Sequence, residues 1–440
     1  MSRILLLGSG AREHILAARL AASRGAHELF AYMGANNPGI AALCQGSTVG
    51  EVKDVAAVAA YAKTIKADWA CIGPDDPLAL GVVDALAEVG VPAFGPTKTG
   101  AQIESSKSYA RDLLTQYNIP GCARYRVSSS WEGLPEWVAE LGSPFVLKPD
   151  GLTGGKGVQV QGDHFTTAEE GLALARTMLQ EYGRLVVEEK FVGQEFSLLT
   201  ITDGEACIHL PAVQDHKRAF EGDKGPNTGG MGTYSCADGS LPFLTGRDIQ
   251  DAQAINEAVI AALKRATGTS YRGVLYGGFI AVQDGVRVIE YNARLGDPEA
   301  MNVLSVLEND FAEVCQAVMA GNLGELAPRF VPVATVCKYV APEGYPVNPV
   351  KNEPIDVSAV DTTKVQLYFG SVDKQAGKLY LKGSRAVAVV AKHADLYAAE
   401  ALVEEQIKRI KGPVFHRADI ATPALIAQRV AMLKQVRQGA

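Results

Sequence analysis

The chain has 440 residues, 45 of them glycine, with 47% hydrophobic residues, 21% charged residues and a net charge of −7. One hydrophobic core rarely spans such a length, so we expect two to four domains of a globular protein. The negative net charge disfavours a nucleic-acid-binding protein, and the apolar runs are too short to cross a membrane.

The cysteines and the N-terminal residues indicate the cellular compartment in which we expect the protein. The seven cysteines are scattered and form no Cys-x-x-Cys pair, which favours a reducing compartment and offers no zinc framework. The apolar run in Met1–Gly8 is short and leads straight into a glycine loop, so it does not form a signal peptide. We therefore expect a cytoplasmic protein.

Alternating strands and helices predict a doubly wound α/β domain over residues 1–100. The predicted strands are Ile4–Leu7, Leu29–Tyr32, Trp69–Ile72 and a short one at Pro92–Phe94, and the predicted helices are Arg12–Ser23, Val55–Lys66 and Leu80–Val89. We expect Gly73–Pro77, which follows the third strand, to be a loop.

The loop Gly8-Ser-Gly-Ala-Arg-Glu13 resembles a dinucleotide fingerprint but lacks two of its parts. Glu13 stands where the third glycine belongs, and the second strand ends without an acid that could bind a ribose. A phosphate bound at free amides of the helix N-terminus, with Arg12 as its charge partner, is one interpretation, and a plain strand–helix turn is the other.

The rest of the chain divides into four predicted stretches. These are a helix over 101–122, a small mixed region over 123–191, a strand-rich region over 192–325 and an alternating region over 326–440. The predicted strands are Phe145–Lys148, Val158–Gln161, Leu185–Glu189, Val274–Val282 and Val286–Asn292, the last two joined by a hairpin turn at Asp284-Gly285, and the predicted helices are Ala168–Tyr182, Leu396–Lys411 and Pro423–Val436.

The most informative segment is Val288–Glu299, which begins as an apolar strand and then carries charge. Because side chains alternate along a strand, Glu290, Asn292 and Arg294 would share one face if the strand runs that far. A carboxylate and an amide oxygen suit Mg²⁺, and a guanidinium beside them suits a phosphate or carboxylate. The segment predicts a site where a metal-bound nucleotide meets an anionic substrate, with a charged edge strand as the alternative.

The glycine-rich stretch Phe145–Gly157 is a candidate phosphate-binding hairpin. It is not a Walker motif, because Gly157 follows Lys156 and because strands flank it on both sides. Such a hairpin can fold over a triphosphate, with Lys148 at the strand end near the α- or β-phosphate. A surface hairpin is the alternative.

Two further polar segments are candidates for ligand contacts. The apolar strand that ends at Glu189 could line an adenosine pocket, although a simple strand end explains it equally well. The run Gln214–Arg218 and the glycine-rich Gly225–Gly232 make a segment too long for an ordinary hairpin loop. In it Asp215 could hold an ammonium group and the two cations could hold phosphates, whereas we expect His216 to be a solvated loop histidine and not a catalytic base.

Together and in this order, the motifs resemble the glycinamide ribonucleotide synthetase family of the ATP-grasp fold. The resemblance covers residues 1 to about 300, and the pair Gln214–Arg218 and Gly225–Gly232 is its most specific part. The matching stretches are Gly8–His14, Gly73–Leu78, Phe94–Thr97, Ser106 and Lys107, Lys148–Gly157, Gln214–Arg218, Gly225–Gly232 and Glu290–Glu299.

The resemblance implies an α/β and α+β multidomain fold. Its parts are a Rossmann-like N-terminal domain (1–100), an ATP-grasp core (a linking helix over 101–122, and 193–325), an ATP-grasp lid (123–192) and a mixed C-terminal domain (326–440). The implied activity is a carbon–nitrogen ligase of purine biosynthesis that joins glycine to 5-phosphoribosylamine through glycyl phosphate, with ATP and Mg²⁺ or Mn²⁺. The expected partners are these two small molecules, without nucleic acid or membrane, and the expected assembly is a monomer or weak homodimer.

The resemblance also implies roles for individual residues. The implied metal ligands are Glu290 and Asn292, and the implied catalytic residues are Arg294, Lys148, Asp215 and Lys217. The implied ATP-binding residues are Lys107, Lys148, Gly154, Gly155, Lys156, Glu188, Glu189, Phe191 and Glu195. The implied substrate-binding residues are Gly10, Arg12, Glu13, Asp75, Asp215, Lys217, Arg218, Arg294, Gly296 and Asp297.

The chain departs from the usual family pattern at Ala11, at Asp75, within the hairpin Pro149–Gly157 and near Lys382–Arg385. Three competing interpretations are another ATP-grasp carboxylate–amine ligase, an enzyme of the biotin carboxylase type and a non-catalytic nucleotide-binding module. The run Gln214–Arg218 argues against the first, the combination of substrate loops argues against the second, and the full set of lysines, acid and amide argues against the third.

Overall fold

The computed structural model describes residues 2–142, 144–154 and 157–439. Its N-terminal region is a parallel five-stranded sheet of order β3-β2-β1-β4-β5 with helices around it. The elements are β1 Ser2–Leu7, α1 Ala11–Ala21, β2 His27–Met33, α2 Pro38–Leu43, β3 Gly46–Val49, α3 Val55–Thr64, β4 Trp69–Ile72, α4 Asp75–Leu80, α5 Val82–Glu88 and β5 Ala93–Phe94. The β1 residues 4–7 are wholly buried, as expected for a parallel sheet covered on both faces.

Two helices lead into a small antiparallel sheet of order β6-β9-β7-β8, here named the lid sheet. The elements are α6 Lys98–Ser105, α7 Lys107–Gln116, β6 Tyr125–Ser128, α8 Leu134–Leu141, β7 Phe145–Pro149, β8 Gln159–Val160, α9 Ala168–Tyr182 and β9 Leu185–Glu189. The lid sheet packs on α8 and α9 through a hydrophobic cluster of its own, which includes Leu134, Phe145 and Leu185.

The central region is built on an antiparallel sheet of order β11-β10-β16-β17, here named the central sheet. The elements are β10 Gln194–Thr202, β11 Cys207–His209, β12 Gln214–Asp215, β13 Arg218–Phe220, β14 Lys224–Asn227, β15 Gly232–Ser235, α10 Gly246–Thr267, β16 Gly273–Val282, β17 Gly285–Asn292, α11 Glu299–Val306 and α12 Phe311–Ala320, with a 3-10 turn at Leu323–Glu325.

The C-terminal region completes a sheet of order β12-β15-β18-β23-β20, with β24 paired to β18, and a smaller sheet β19-β22-β21. The elements are β18 Ala334–Pro342, β19 Pro354–Ile355, β20 Gln366–Phe369, β21 Val372–Gln375, β22 Lys378–Leu381, β23 Val387–His393, α13 Leu396–Ile407, β24 Val414–Phe415 and α14 Pro423–Gln438. Because β12 and β15 join β18, the C-terminal region holds the segment around Gln214–Arg218 directly.

Three predicted elements differ from the structure. Asp75 begins α4, so Gly73–Pro77 is not a loop throughout. The single helix predicted over 101–122 is two helices, because the Ser106 hydroxyl accepts the backbone amide of Tyr109 at 3.2 Å and caps a new helix.

The third difference is α10, a helix of 22 residues inside the stretch predicted to be strand-rich. Its signals are present in the sequence: Thr245 and Asp248 form a capping box, and buried residues recur every three or four positions, as at Ile255 and Val259. Among the described residues, no helix has the length and apolarity to span a membrane. The four-part domain division stays a prediction.

Candidate active site

A cavity of about 640 Å³ lies where the lid sheet, the central sheet and the C-terminal region meet. Its wall is rich in charged groups, which suits a polyphosphate and a metal ion. The predicted site residues that line it are Arg12, Asp75, Lys107, Lys148, Gly154, Glu188, Glu189, Phe191, Glu195, Asp215, Lys217, Arg218, Glu290, Asn292, Arg294, Gly296 and Asp297. Gly10 and Glu13 lie outside this lining, and Gly155 and Lys156 fall outside the described residues.

The two predicted metal ligands lie at the end of β17 among cations. Glu290 Oε1 lies 3.3 Å from Lys217 Nζ, and Asn292 Oδ1 accepts a hydrogen bond of 3.1 Å from Arg294 Nη2. Lys217 is the main cause that lowers the pKa of Glu290 to about 2, so this carboxylate is ionised at neutral pH. The described residues form no group of three or more His, Cys, Asp or Glu suited to a metal. Two oxygen ligands fit Mg²⁺, which keeps water and phosphate oxygens in its other positions.

A β-bulge at Ile289 shapes this part of the site. The register between β16 and β17 shifts at Gly278, which leaves Ile289 without a partner residue. Its carbonyl oxygen instead accepts hydrogen bonds from Lys148 Nζ at 2.9 Å and from Arg111 Nη2 at 2.8 Å. One backbone oxygen therefore joins the lid sheet, α7 and the central sheet.

Glu188 is buried between two cations. It makes a bidentate ion pair with Arg111 at 2.7 and 3.0 Å and also pairs with Lys148. Burial alone would raise the pKa of Glu188, but Arg111 and Lys148 hold it below its ordinary value. Burial lowers the pKa of Lys148, and Glu188 opposes that shift. Two cations around one carboxylate leave a net positive charge, which suits phosphate oxygens. Sequence analysis missed Arg111, whose signal is a charge among the buried positions of α7.

Lys107 ties the glycine-rich hairpin to α7. Its Nζ donates to the carbonyl oxygen of Gly151 at 2.7 Å, and Asp150 accepts from the hydroxyls of Ser106 and Ser108 at 3.1 and 2.5 Å. Burial lowers the pKa of Lys107. The start of the hairpin is thus fixed over the cavity by the helix that carries the predicted phosphate-binding lysine.

In the loop after β1, the Glu13 carboxylate lies where a dinucleotide-binding loop would leave room for a phosphate. Glu13 Oε2 accepts the amide of Gly10 at 2.6 Å, and Glu13 Oε1 pairs with Arg12 Nε at 2.6 Å. A Cβ atom at Gly73 would lie 2.2 Å from Glu13 Oε1, so this glycine makes room for the acid. The Gly10 amide is therefore engaged by Glu13, which favours the plain strand–helix turn of the two interpretations, and the substrate role of Gly10 stays a prediction. Arg12 lines the cavity, and its Nη1 donates to the carbonyl oxygen of Leu295 at 3.1 Å.

Arg294 is positioned by Glu104, a buried acid that sequence analysis missed. Glu104 Oε1 lies 2.9 Å from Arg294 Nη2, and its other oxygen accepts a backbone amide at 2.7 Å. Since β17 ends at Asn292, Arg294 lies beyond the strand, and Glu104 rather than the strand pleat fixes it beside Asn292. Burial raises the pKa of Glu104 to about 7, although the positive charge of Arg294 acts to lower it. Burial would also raise the pKa of Asp75, but Arg294 and Arg12 hold it below its ordinary value.

Asp215 and Glu299 form an acidic pair in the cavity wall. Burial first, and then Glu299, raise the pKa of Asp215 well above its ordinary value, while Lys217 opposes them. Glu299 Oε1 accepts hydrogen bonds from the hydroxyls of Tyr276 at 2.9 Å and Ser197 at 3.2 Å. The two acidic side chains thus lie in one wall of the cavity, where carboxylate oxygens suit an ammonium group. Glu299 ends the most informative sequence segment, yet sequence analysis did not select it.

His216 is buried, so the expectation of a solvated loop histidine is wrong. Only 1% of it is exposed, its Nδ1 lies 3.1 Å from the carbonyl oxygen of Gly232, and among the described residues its Nε2 has no hydrogen-bond partner. Burial, followed by Arg417 and Arg429, lowers its pKa to about 3, so the ring is neutral. The cause is the pairing of β12 with β15, which carries the segment beneath the C-terminal region.

Arg385 brings the C-terminal region into the site. Its Nη1 donates to the carbonyl oxygens of Gly229, Gly230 and Asp297 at 2.7, 2.8 and 2.9 Å. Its guanidinium carbon lies 4.5 Å from the Tyr339 ring centroid, and the Tyr339 hydroxyl donates to Asp297 Oδ1 at 2.6 Å. The predicted substrate residue Asp297 and the glycine-rich loop are thus fixed by an arginine that sequence analysis did not select.

The remaining charged residues lie nearer the rim of the cavity. Glu195 is 57% exposed at the start of β10. Glu189 Oε2 pairs with Arg124 at 3.1 Å, and Arg218 Nη2 pairs with Asp163 Oδ2 at 3.4 Å. Their solvent exposure makes these pairs weak, which leaves the side chains free to change partners when a ligand binds.

The sequence matches known domain families along most of its length. The phosphoribosylglycinamide synthetase N domain matches residues 2–104, the ATP-grasp (A) domain matches 105–300 and the C domain matches 335–423. The chain belongs to the phosphoribosylglycinamide synthetase family. The predicted family, the ATP-grasp fold and the ligase class are confirmed. Membership in the family supports the use of ATP and a divalent metal ion.

Members of the phosphoribosylglycinamide synthetase family resemble the chain over their whole length. The phosphoribosylamine–glycine ligases of Methanosarcina barkeri and Methanocaldococcus jannaschii are each 44% identical to it over 99% of this chain and 100% of the relative. A crystal structure of the ligase from Thermotoga maritima has a TM-score of 0.78 at 28% identity and covers 95% of this chain and 99% of that one. A biotin carboxylase domain from Hydrogenobacter thermophilus, with a TM-score of 0.72 at 14% identity over 100% of this chain and 95% of that one, shares the fold alone.

Proposed function

We propose that the chain ligates glycine to 5-phosphoribosylamine, using ATP and Mg²⁺ or Mn²⁺, and releases glycinamide ribonucleotide, ADP and phosphate in de novo purine biosynthesis. One observation carries the proposal: an ionised Glu290 and Asn292 lie in one cavity with Lys148, Lys217 and Arg294. Oxygen ligands beside cations suit a metal-bound triphosphate. The acidic pair in the same wall suits the ammonium group of glycine.

In the first step, a carboxylate oxygen of glycine attacks the γ-phosphorus of ATP, the bond to the bridging oxygen breaks, and ADP leaves. This transfer needs no protein nucleophile, so the chain acts by positioning and by charge neutralisation. Lys148 and Arg294 offset charge on the phosphoryl group, and Glu290 and Asn292 would hold the metal ion. Bound Mg²⁺ supplies further neutralisation of the phosphate oxygens.

In the second step, the amine nitrogen of 5-phosphoribosylamine attacks the acyl carbon of glycyl phosphate, phosphate leaves with the electrons of the carbon–oxygen bond, and the nitrogen loses a proton. Arg12 is the residue of the first loop that reaches the wall, so we assign the phosphate of phosphoribosylamine to its side of the cavity. Arg385, which contacts both Asp297 and the glycine-rich loop, keeps that loop in place during this step.

Several finer assignments belong to the same proposal. Lys107, Lys148 and the glycine-rich hairpin would bind the ATP phosphates, and Glu195 would bind the ribose. We further propose a monomer or weak homodimer in the cytoplasm. Sedimentation of the purified chain over a range of concentrations tests the assembly.

The proposal is tested by ADP release from ATP, Mg²⁺ and glycine, with and without phosphoribosylamine generated in situ. Release that needs both substrates supports it, whereas release that depends on neither would point to another ATP-grasp ligase. Glu290→Ala is expected to abolish ADP release while the circular dichroism spectrum stays as in the wild type. Near-normal turnover of that variant would overturn the metal assignment.

A further inference from the structure

The last helix, α14, contributes a side chain to the cavity wall. The match to the family's C domain ends at residue 423, where α14 begins. Ile426 and Leu433 of this helix are buried in the main hydrophobic core, whereas Met432 is 37% exposed and lines the cavity. An apolar side chain left open at the wall of a charged cavity is available to an apolar part of a ligand.

Ion pairs hold α14 in this position independently of Met432. Arg429 pairs with Asp223, in the turn between β13 and β14. Arg437 Nη2 pairs with Asp248 Oδ1, in the first turn of α10, at 2.6 Å. Because these contacts lie on both sides of Met432 along the helix, a change at Met432 leaves the helix attached.

Met432 is one of several apolar side chains in the wall of the cavity. Its sulfur contacts Gln194 Nε2 at the start of β10, and the neighbouring Glu195 pairs across the central sheet with Ile280. The apolar lining of the cavity includes Val146, Val160, Phe191, Ile280, Ile289 and Met432. The lid sheet, the connection to β10, the central sheet and α14 each supply part of this set, so a flat apolar group can be enclosed from several sides.

Groups that suit the other parts of a nucleotide line the same cavity. Glu195 Oε2 lies 3.8 Å from Lys217 Nζ, and Lys217 Nζ lies 3.3 Å from Glu290 Oε1. The apolar side chains suit a base, Glu195 suits a ribose, Lys217 suits a phosphate and Glu290 suits a metal ion.

We propose that Met432 packs against the purine base of the bound nucleotide, so that α14 completes the nucleotide pocket. This inference rests on the proposed use of ATP. It makes the final helix part of the binding site as well as part of the core.

Equilibrium binding of ADP with Mg²⁺, and of inorganic tripolyphosphate, which has no base, tests the proposal in the full-length chain. Met432→Ala is expected to weaken ADP binding about five- to tenfold and to leave tripolyphosphate binding unchanged. Met432→Leu should restore most of the ADP affinity. Val430→Ala is the matched control, because Val430 lies on the same helix, is also 37% exposed and is not among the lining residues. In turnover assays, the KM for ATP should rise in Met432→Ala while the KM for glycine stays constant.

Unchanged ADP affinity in Met432→Ala would overturn the proposal. Equal weakening of ADP and tripolyphosphate binding would also overturn it, because that result indicates displacement of the helix. If the wild type binds ADP but does not ligate glycine, the proposed function fails, and the ADP affinity of Met432→Ala still decides whether the helix touches the base.

Discussion

Replacement of Glu290 by glutamine should destabilise the chain as well as impair its chemistry. Lys217 first, and then Lys148 and Lys107, lower the pKa of this carboxyl group to about 2. The amide keeps the size of the side chain and removes its charge. Three ammonium groups around the cavity then lose the carboxylate that they share.

The magnitude and its pH dependence follow from the pKa of Glu290. A decrease from the ordinary value of 4.5 to about 2 corresponds to about 3 kcal/mol of stabilisation at neutral pH. The side chain is 33% exposed, so solvent screening reduces our expectation to about 2 kcal/mol. A carboxyl group with a lowered pKa stabilises the folded chain above its unfolded pKa, and this stabilisation is lost as the pH falls from 4.5 towards 2.

Calorimetric unfolding of wild type and Glu290→Gln, from neutral to acidic pH, measures this difference. At pH 7 we expect the Tm of the variant to be lower by about 2 °C, and we expect the gap to narrow below about pH 4.5. Glu195→Gln is the control, because Glu195 lies 3.8 Å from the same Lys217 Nζ but is 57% exposed, and solvent screening should keep its effect below about 0.5 kcal/mol. A Glu290→Gln variant as stable as the wild type at pH 7, or a gap that does not change with pH, would refute the reasoning.

Three other predictions concern residues that hold the site in place. Arg385→Lys should raise the KM for phosphoribosylamine about tenfold with the KM for ATP unchanged, because the single nitrogen of lysine cannot contact the three carbonyl oxygens and also pair with Asp297 Oδ1, as the two nitrogens of Arg385 do; steady-state kinetics with each substrate varied checks this. Glu104→Gln should lower kcat about tenfold, because Arg294 loses its 2.9 Å ion pair; Glu104→Asp, which keeps the charge, should retain more activity. Gly73→Ala should cost about 1–3 kcal/mol in thermal unfolding, because the added Cβ would lie 2.2 Å from Glu13 Oε1, and wild-type stability would show that Glu13 can move aside.

Elements bounded by strong local signals could be predicted to the residue. The helix Ala168–Tyr182 lies between a capping box at Thr167 and the left-handed Gly183, and both signals are visible in the sequence. The strands Trp69–Ile72 and Leu185–Glu189 also agree with the structure, since each is a short apolar run with polar or glycine neighbours.

Contacts between distant parts of the chain could not be predicted in this way. Glu104 and Arg294 are 190 positions apart, and no local pattern indicates that an acid on α6 meets a cation after β17. The burial of His216 likewise depends on strands that join from the C-terminal region. Sequence motifs identified which residue types gather at the cavity, whereas tertiary packing decides which carboxylate neutralises which cation.

The carbonyl of Ile289, which the bulge removes from the strand ladder, determines the contacts of Lys148 before a nucleotide binds. Lys148 donates to this oxygen and pairs with Glu188, so its ammonium group is satisfied before any phosphate arrives. In the proposed phosphate-binding role, Lys148 exchanges this backbone oxygen for a phosphate oxygen when ATP binds. The empty cavity therefore contains no buried ammonium group without a hydrogen-bond partner. The binding free energy that Lys148 contributes is only the difference between its interaction with the phosphate oxygen and its interaction with the backbone oxygen. By stabilising the empty site, the contacts of Lys148 lower the affinity for ATP and ADP alike, which favours release of ADP after each turnover.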